Sequence, residues 1–145
     1  NNILVLGYGG ASQAIVYGFL LKGYRNITVF NRTKKLIKFH DIKYYTIQYS
    51  QIDKHLMSAD LIINTTPINP LNKKQINKVS EKTVLSDIVY NPKQTSFFIN
   101  FKKNPKIYGI TMLLEQAIPC FTSWFGFKPK IDEALMKKIN ARIGW

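Results

Sequence analysis

Near its start the chain runs through Ile3-Leu4-Val5-Leu6, turns at Gly7-Tyr8-Gly9-Gly10, and continues into a strongly apolar stretch over residues 11–22. A strand that is apolar at every position is buried on both faces, and such strands belong to parallel sheets covered by helices on both sides. The following stretch carries Ala14, Ile15, Val16, Phe19, Leu20 and Leu21, as a helix packed on a sheet would, and Gly23 is a suitable stop. This one unit restricts the chain to an α/β architecture.

The remaining segments alternate in the same way. Ile27 to Phe30 reads as a second strand, followed by Asn31-Arg32-Thr33 and a short helix through Phe39. Residues 44–47 read as a weaker third strand and residues 51–56 as a helical turn. Leu61 to Asn64 is a fourth strand ended by Pro67, and residues 83–88 a fifth. A helix over 95–101 leads to a sixth strand at 106–108. The rest is helical, with Thr111 as a cap, Pro119 bending or interrupting the helix toward Phe125, and a last helix over 131–143. The sum is a Rossmann-like doubly wound parallel sheet with helices on both faces and C-terminal helices.

Strand, tight glycine turn and helix N-terminus together make an anion site. Backbone N–H groups and the helix dipole converge where glycines let a pyrophosphate approach closely. Ser12 stands where the full G-x-G-x-x-G pattern has its third glycine, and a small residue there still permits close helix–strand packing. An ordinary glycine-rich turn is the bland alternative. Three glycines in four residues, between a buried strand and a helix, favour a dinucleotide.

The end of the second strand selects the cofactor. An acidic residue there accepts hydrogen bonds from a ribose 2′-hydroxyl and repels a 2′-phosphate. This chain has Asn31, then Arg32, Thr33, Lys34 and Lys35. A guanidinium forks onto phosphate oxygens, and the hydroxyl and lysines add a donor and charge. Cations at a helix start are unfavourable unless an anion sits between them. The reading is NADP.

Bulk properties exclude other classes. The length of 145 residues suits one domain, and 46% hydrophobic with 20% charged residues describes a globular chain. No apolar run approaches the roughly 20 residues needed to span a bilayer, so no membrane partner is expected. Cys120 is the single cysteine and fits a reducing compartment, with cytoplasm as the default. The formal charge is +13. Its lysines scatter as short pairs, so a solvated basic surface is favoured over a polyanion partner, and no nucleic acid is expected. Neither His40 nor His55 has Cys or carboxylate neighbours at metal-ligand spacing, so no metal site is expected.

With these residues in view, the chain resembles the nucleotide-binding C-terminal domain of the shikimate dehydrogenase family. The resemblance rests on Gly7-Tyr-Gly-Gly-Ala-Ser12, Asn31-Arg-Thr33, Ile63-Asn-Thr-Thr-Pro67, Asp87-Ile-Val-Tyr-Asn-Pro92 with Thr95, and Gly109-Ile-Thr-Met-Leu-Leu-Glu-Gln-Ala117. Phe121 and Trp124-Phe-Gly126 continue it. It implies reduction of 3-dehydroshikimate to shikimate by hydride from NADPH, in aromatic amino-acid biosynthesis. Carried over by position, Tyr8, Gly9, Gly10, Ala11 and Ser12 would border or hold the pyrophosphate. Asn31, Arg32, Thr33 and Lys34 would take the 2′-phosphate. Asn64, Thr65 and Thr66 would line the groove, and Ile88 and Gly109 would touch the nicotinamide half. Tyr90 and Gln116 would reach the substrate; as isolated residues they also suit loop packing and an interhelical hydrogen bond. Met112, Leu113, Phe121, Trp124 and Phe125 suit a core or a domain interface.

The resemblance also implies what to expect outside these residues. The family keeps its catalytic Lys–Asp pair and most substrate contacts in an N-terminal domain. The chain opens on Asn1-Asn2 rather than Met, so residues 1–145 are expected to be an NADP-binding domain lacking that half. No residue here has a claim to a catalytic role, and the chain alone is expected to bind cofactor without turnover. The alternatives are half of a quinate/shikimate or other NADP-dependent dehydrogenase, or a nonenzymatic nucleotide-binding module.

Overall fold

The computed structural model describes residues 1–39, 42–46 and 49–144. Five parallel strands form the main sheet: β1 (Ile3–Leu6), β2 (Ile27–Phe30), β5 (Leu61–Asn64), β6 (Val84–Asp87) and β7 (Lys106–Tyr108), in the order β2-β1-β5-β6-β7. A separate antiparallel hairpin joins β3 (Leu36–Phe39) and β4 (Ile42–Tyr45). The helices are α1 (Gly10–Leu21), α2 (Ile52–Ser58), α3 (Lys73–Ile76), α4 (Gly109–Phe125) and α5 (Glu133–Ile143).

Alternation along the strands divides the core between the two faces of the sheet. Ile3 and Val5 pack with Val29, Ile63 and Val16 of α1. Leu4 and Leu6 face the other way, among Ile62, Leu85, Ile52 and Leu56 of α2, and the rings of Phe97 and Phe98. Fully burying such an aliphatic side chain contributes about 1.5–3 kcal/mol, so the central strands cannot slip register without moving every apolar group to the wrong face. The α/β class and parallel sheet expected from the sequence are what the structure has.

Several local expectations are corrected. The helix expected through Phe39 is strand β3, because Leu36 to Phe39 and Ile42 to Tyr45 pair across the hairpin, Leu36 opposite Tyr45. The third strand of the main sheet is therefore absent among the described residues. Its expected residues 44 and 45 belong to β4, while Ile47, like His40, lies outside the described residues. The helix expected over 95–101 is a 3-10 turn at Phe98–Asn100. Tyr108, not Thr111, is the N-cap of α4, and Pro119 sits inside that helix without ending it. The preceding turn's carbonyl, on Glu115, is the one a proline leaves without its N–H donor, and Glu115 is exposed to water. Helix α3 was not expected from the sequence; a capping box between Asn72 and Gln75 starts that single turn.

Candidate functional site

Parallel pairing puts the C-terminal ends of the strands on one edge. Leu6 is level with Phe30 and with Asn64, Asn64 with Asp87, and Asp87 with Tyr108. The residues that leave the sheet there are consequently Gly7, Asn31, Thr65, Ile88 and Gly109. Segments scattered over more than a hundred residues meet in one row, where open α/β sheets bind ligands.

Gly7 makes the first turn possible. Its φ is +98°, and a Cβ there would lie 2.7 Å from Thr65 Oγ1 and 2.8 Å from the Thr66 methyl group. The backbone at Gly7 is clamped on both sides. Its N–H donates to the Phe30 carbonyl at 2.8 Å, and its carbonyl accepts from Ser12 Oγ at 2.9 Å. Ser12 is fully buried, so its hydroxyl fastens the first turn of α1 to the glycine turn.

Gly9 and Gly10 are different. No protein atom lies within 4 Å of a Cβ built on either, and neither has a positive φ. Packing gives no reason for glycine at these two positions. Gly9 is the N-cap of α1, provides no side-chain cap, and the first turn holds no acidic residue. Helix geometry leaves the N–H groups of Gly10, Ala11 and Ser12 without partners inside the helix. The result is an uncapped positive helix end approached over an open glycine surface, which fits a pyrophosphate. Tyr8 beside it is half-buried against the α1-side core.

Two cavities flank the segment Thr66-Pro67. One, of about 440 Å³, is bordered by Gly7, Phe30, Asn31, Arg32, Thr66 and Ile68. The other, of about 450 Å³, is bordered by Thr65, Thr66, Ile88, Val89, Tyr90 and Asn91. Asn31 Nδ2 donates to the Thr33 carbonyl at 2.7 Å, closing the turn that carries the basic residues. Arg32, Thr33, Lys34 and Lys35 are all exposed. Among the described residues Arg32 has no hydrogen-bond or ion-pair partner, and the three acids in ion pairs, Asp53, Asp60 and Glu81, pair elsewhere.

A buried network holds the Thr65–Thr66 segment. Asn64, at the end of β5, is fully buried, so its side chain supports the groove from beneath. Its Oδ1 accepts from the Thr66 N–H at 3.1 Å and lies 2.7 Å from Thr66 Oγ1. Its Nδ2 donates to Asp87 Oδ1 at 3.2 Å. Asp87 also accepts from Thr95 Oγ1 at 2.6 Å and from the Val89 N–H at 3.1 Å. Burial holds the Asp87 carboxyl above its ordinary pKa, against the opposing pull of the Thr95, Val89 and Asn64 hydrogen bonds. Asp87 and Thr95 belong to the segments that carried the family resemblance but were not among the expected site residues; a carboxylate at the end of a strand was the signal.

Gly109 has a structural reason of its own: a Cβ there would lie 2.4 Å from the Ile88 carbonyl oxygen. The close approach of α4 to that backbone brings the start of the helix to the site. Tyr90 borders the second cavity. Gln116 does not; it is exposed on α4, two turns beyond Gly109. His55 lies at the opposite rim of the sheet with its Nδ1 3.3 Å from Thr28 Oγ1, and burial, then the nearby Lys54 charge, lowers its pKa. Among the described residues no three His, Cys, Asp or Glu side chains gather as a metal site requires, and no helix is long and apolar enough to cross a membrane.

Comparison with known proteins shows the family of the chain. Residues 1–110 match the sequence model of the shikimate / quinate 5-dehydrogenase family. The shikimate dehydrogenase (NADP(+)) of Bartonella quintana (strain Toulouse) is 32% identical over 163 residues, an alignment covering 97% of this chain and 53% of that protein. The crystal structure of Thermus thermophilus shikimate 5-dehydrogenase in complex with NADP(H) and shikimate superposes with a TM-score of 0.68. It is 24% identical, over 97% of this chain and 54% of that one. Quinate dehydrogenase from Corynebacterium glutamicum in complex with NAD gives a TM-score of 0.71 at 17% identity, over 90% of this chain and 51% of that one. The chain thus spans about half the length of the relatives it matches.

Proposed function

The chain belongs to the shikimate / quinate 5-dehydrogenase family, and from that premise we propose that it is the NADP-binding half of a shikimate dehydrogenase. The observation that carries this reading is the row of strand ends, which sets an uncapped helix N-terminus and an acid-free basic turn at one edge of the sheet. Backbone N–H groups of Gly10, Ala11 and Ser12 hold the pyrophosphate. Arg32, with Thr33 and the lysines beside it, neutralises the 2′-phosphate, and Asn31 at the end of β2 offers no carboxylate to repel it. Thr66 separates the two halves of the dinucleotide, and Ile88 and the backbone at Gly109 border the nicotinamide end. Tyr90, and Gln116 from α4, serve the substrate.

NADPH, when bound, supplies the hydride that turns the ketone of 3-dehydroshikimate into the alcohol of shikimate, and the oxygen takes up a proton. Among the described residues none is assigned to deliver that proton; the family resemblance assigns it to a Lys–Asp pair in the other half. Proton transfer by a positioned group is worth about 10²–10⁴-fold, and lost substrate positioning costs more. The chain alone is therefore a cofactor-binding domain with negligible turnover. The exposed aromatic side chains at the end of α4, including Trp124 and Phe125, are the surface that the other half covers. The exposed, unpaired Cys120 on the same helix suits a reducing cytoplasm.

Titration by NADPH fluorescence tests the reading. We expect binding in the micromolar range, abolished in Arg32→Asp, and no NADPH oxidation on adding 3-dehydroshikimate. Binding of NADH as tight as NADPH would refute the cofactor assignment. Robust oxidation dependent on dehydroshikimate would refute the half-site assignment.

A further inference from the structure

The basic turn is held from a direction that none of the family segments includes. Thr46 follows β4, the second strand of the hairpin, and is only 3% exposed although its neighbours on the turn are open to solvent. Its hydroxyl accepts from the Lys35 N–H at 2.8 Å and faces the Thr33 carbonyl at 3.4 Å. Its own N–H donates to the Lys35 carbonyl at 2.9 Å. Asn31 Nδ2 donates to the same Thr33 carbonyl at 2.7 Å. The segment from Asn31 to Lys35 is thereby closed at both ends by side chains rather than by a helix.

We propose that Thr46 is a positioning residue that sets the preference of this chain for a 2′-phosphorylated dinucleotide. The inference rests on the reading of Arg32 and Thr33 as the 2′-phosphate site. A phosphate dianion is repelled by a carbonyl oxygen turned toward it and attracted by cations held beside it. Asn31 and Thr46 together occupy the Thr33 carbonyl, keeping that acceptor away from the anion. Thr46 also fixes the backbone at Lys35 on both its N–H and its C=O, so the basic turn is ordered before the ligand arrives. A site ordered in advance loses less freedom on binding. NADH draws less on this order, because it brings an uncharged ribose 2′-hydroxyl to the end of β2 where NADPH brings a phosphate dianion.

The two cofactors therefore separate a positioning role from a structural one. In Thr46→Val the β-branched shape remains and the hydroxyl is lost; Thr46→Ser keeps the hydroxyl. NADPH and NADH dissociation constants are measured for this chain, the two variants and Arg32→Ala. NADPH affinity of Thr46→Val should fall about three- to tenfold, the span expected for one hydrogen bond, with a clearly smaller loss for NADH and Thr46→Ser near the original values. Equal losses for both cofactors in Thr46→Val would mean a structural role and overturn the proposal, as would an unchanged ratio. Should Thr46→Val fail to fold, the ratio is read on Thr46→Ala by the same criteria. If the original chain shows no NADPH preference, or Arg32→Ala leaves that preference intact, the underlying cofactor reading fails and the role of Thr46 with it. A preference lost in Arg32→Ala but kept in Thr46→Val sinks the Thr46 inference alone.

Discussion

Asp87 is the residue on which burial and hydrogen bonding compete most directly. It is 1% exposed, yet it must accept from Asn64, Thr95 and Val89 to keep the Thr65–Thr66 segment in place. Its pKa is raised above the ordinary 3.8, which means that desolvation outweighs those donors. The folded chain consequently holds this proton more tightly than the unfolded chain does. Stability from Asp87 is fully present below about pH 4, the unfolded value, and is lost as pH rises through the higher folded value. Asn in its place still accepts from Asn64 and Val89 but does not titrate. We expect the stability advantage of the original chain over Asp87→Asn, from urea unfolding at a series of pH values, to shrink as pH rises from about 4. A difference that stays constant with pH would show that the carboxyl is not destabilised by burial.

At the level of elements, the glycine turn and α1 separate fold from function by position. Ala at Gly7 meets both a φ of +98° and a side-chain clash, so Gly7→Ala should destabilise the chain by about 2–4 kcal/mol. Ala at Gly10 meets open space at the first residue of a helix, and should leave stability unchanged or raise it by up to about 1 kcal/mol. Its methyl group stands where the pyrophosphate must approach, so NADPH affinity should fall at least about tenfold. Thermal melting and NADPH titration on the same two variants check this; a Gly10→Ala chain that binds normally would remove the pyrophosphate from α1. Both positions were visible in the sequence, because a strand buried on both faces followed by glycines and a helix has few other solutions. Strands Ile3–Leu6, Ile27–Phe30 and Leu61–Asn64 were legible from their apolar, β-branched runs, and Lys106–Tyr108 from its place in the alternation. The hairpin after Arg32 was not. Residues 36–45 alternate too loosely to declare a strand, and the expectation of a crossover helix overrode their aromatic and β-branched content. Thr46, which closes that hairpin onto the basic turn, carries no local signal at all, since its role exists only once β3 and β4 pair. Asn64 was legible as a member of the site but not as its buried support, because the way a strand-end side chain turns depends on the carboxylate that strand pairing brings beside it.

For the whole molecule, the C-terminal helices are out of proportion to what holds them. Of the 17 residues of α4 only Gly109 and Ile110 are buried, and α5 buries none. Trp124 is 77% exposed and Phe125 60%. Phe121 packs against Phe125 in a tilted and against Phe127 in an edge-to-face arrangement, at ring-centroid distances of 4.5 and 5.4 Å, which gathers these three rings into one patch. An aromatic side chain buries about 150–250 Å² when covered, so several together exceed what a monomer ordinarily leaves in water. Helices of this length are marginal on propensity alone and take their stability from packing of an apolar face. The residues that this packing buries fully lie only at the start of α4. Opening of residues 118–143 should therefore cost far less than global unfolding. Amide hydrogen exchange on the chain alone is expected to be fast through those residues and slow in β1 and β5, whose side chains fill the core. Fusing the N-terminal half of a two-domain relative ahead of Asn1 should slow exchange in 118–143 while leaving β1 and β5 as they were. Protection of α5 equal to that of β5 in the chain alone would mean that the helices are already complete, and that their aromatic face has no part in joining the two halves.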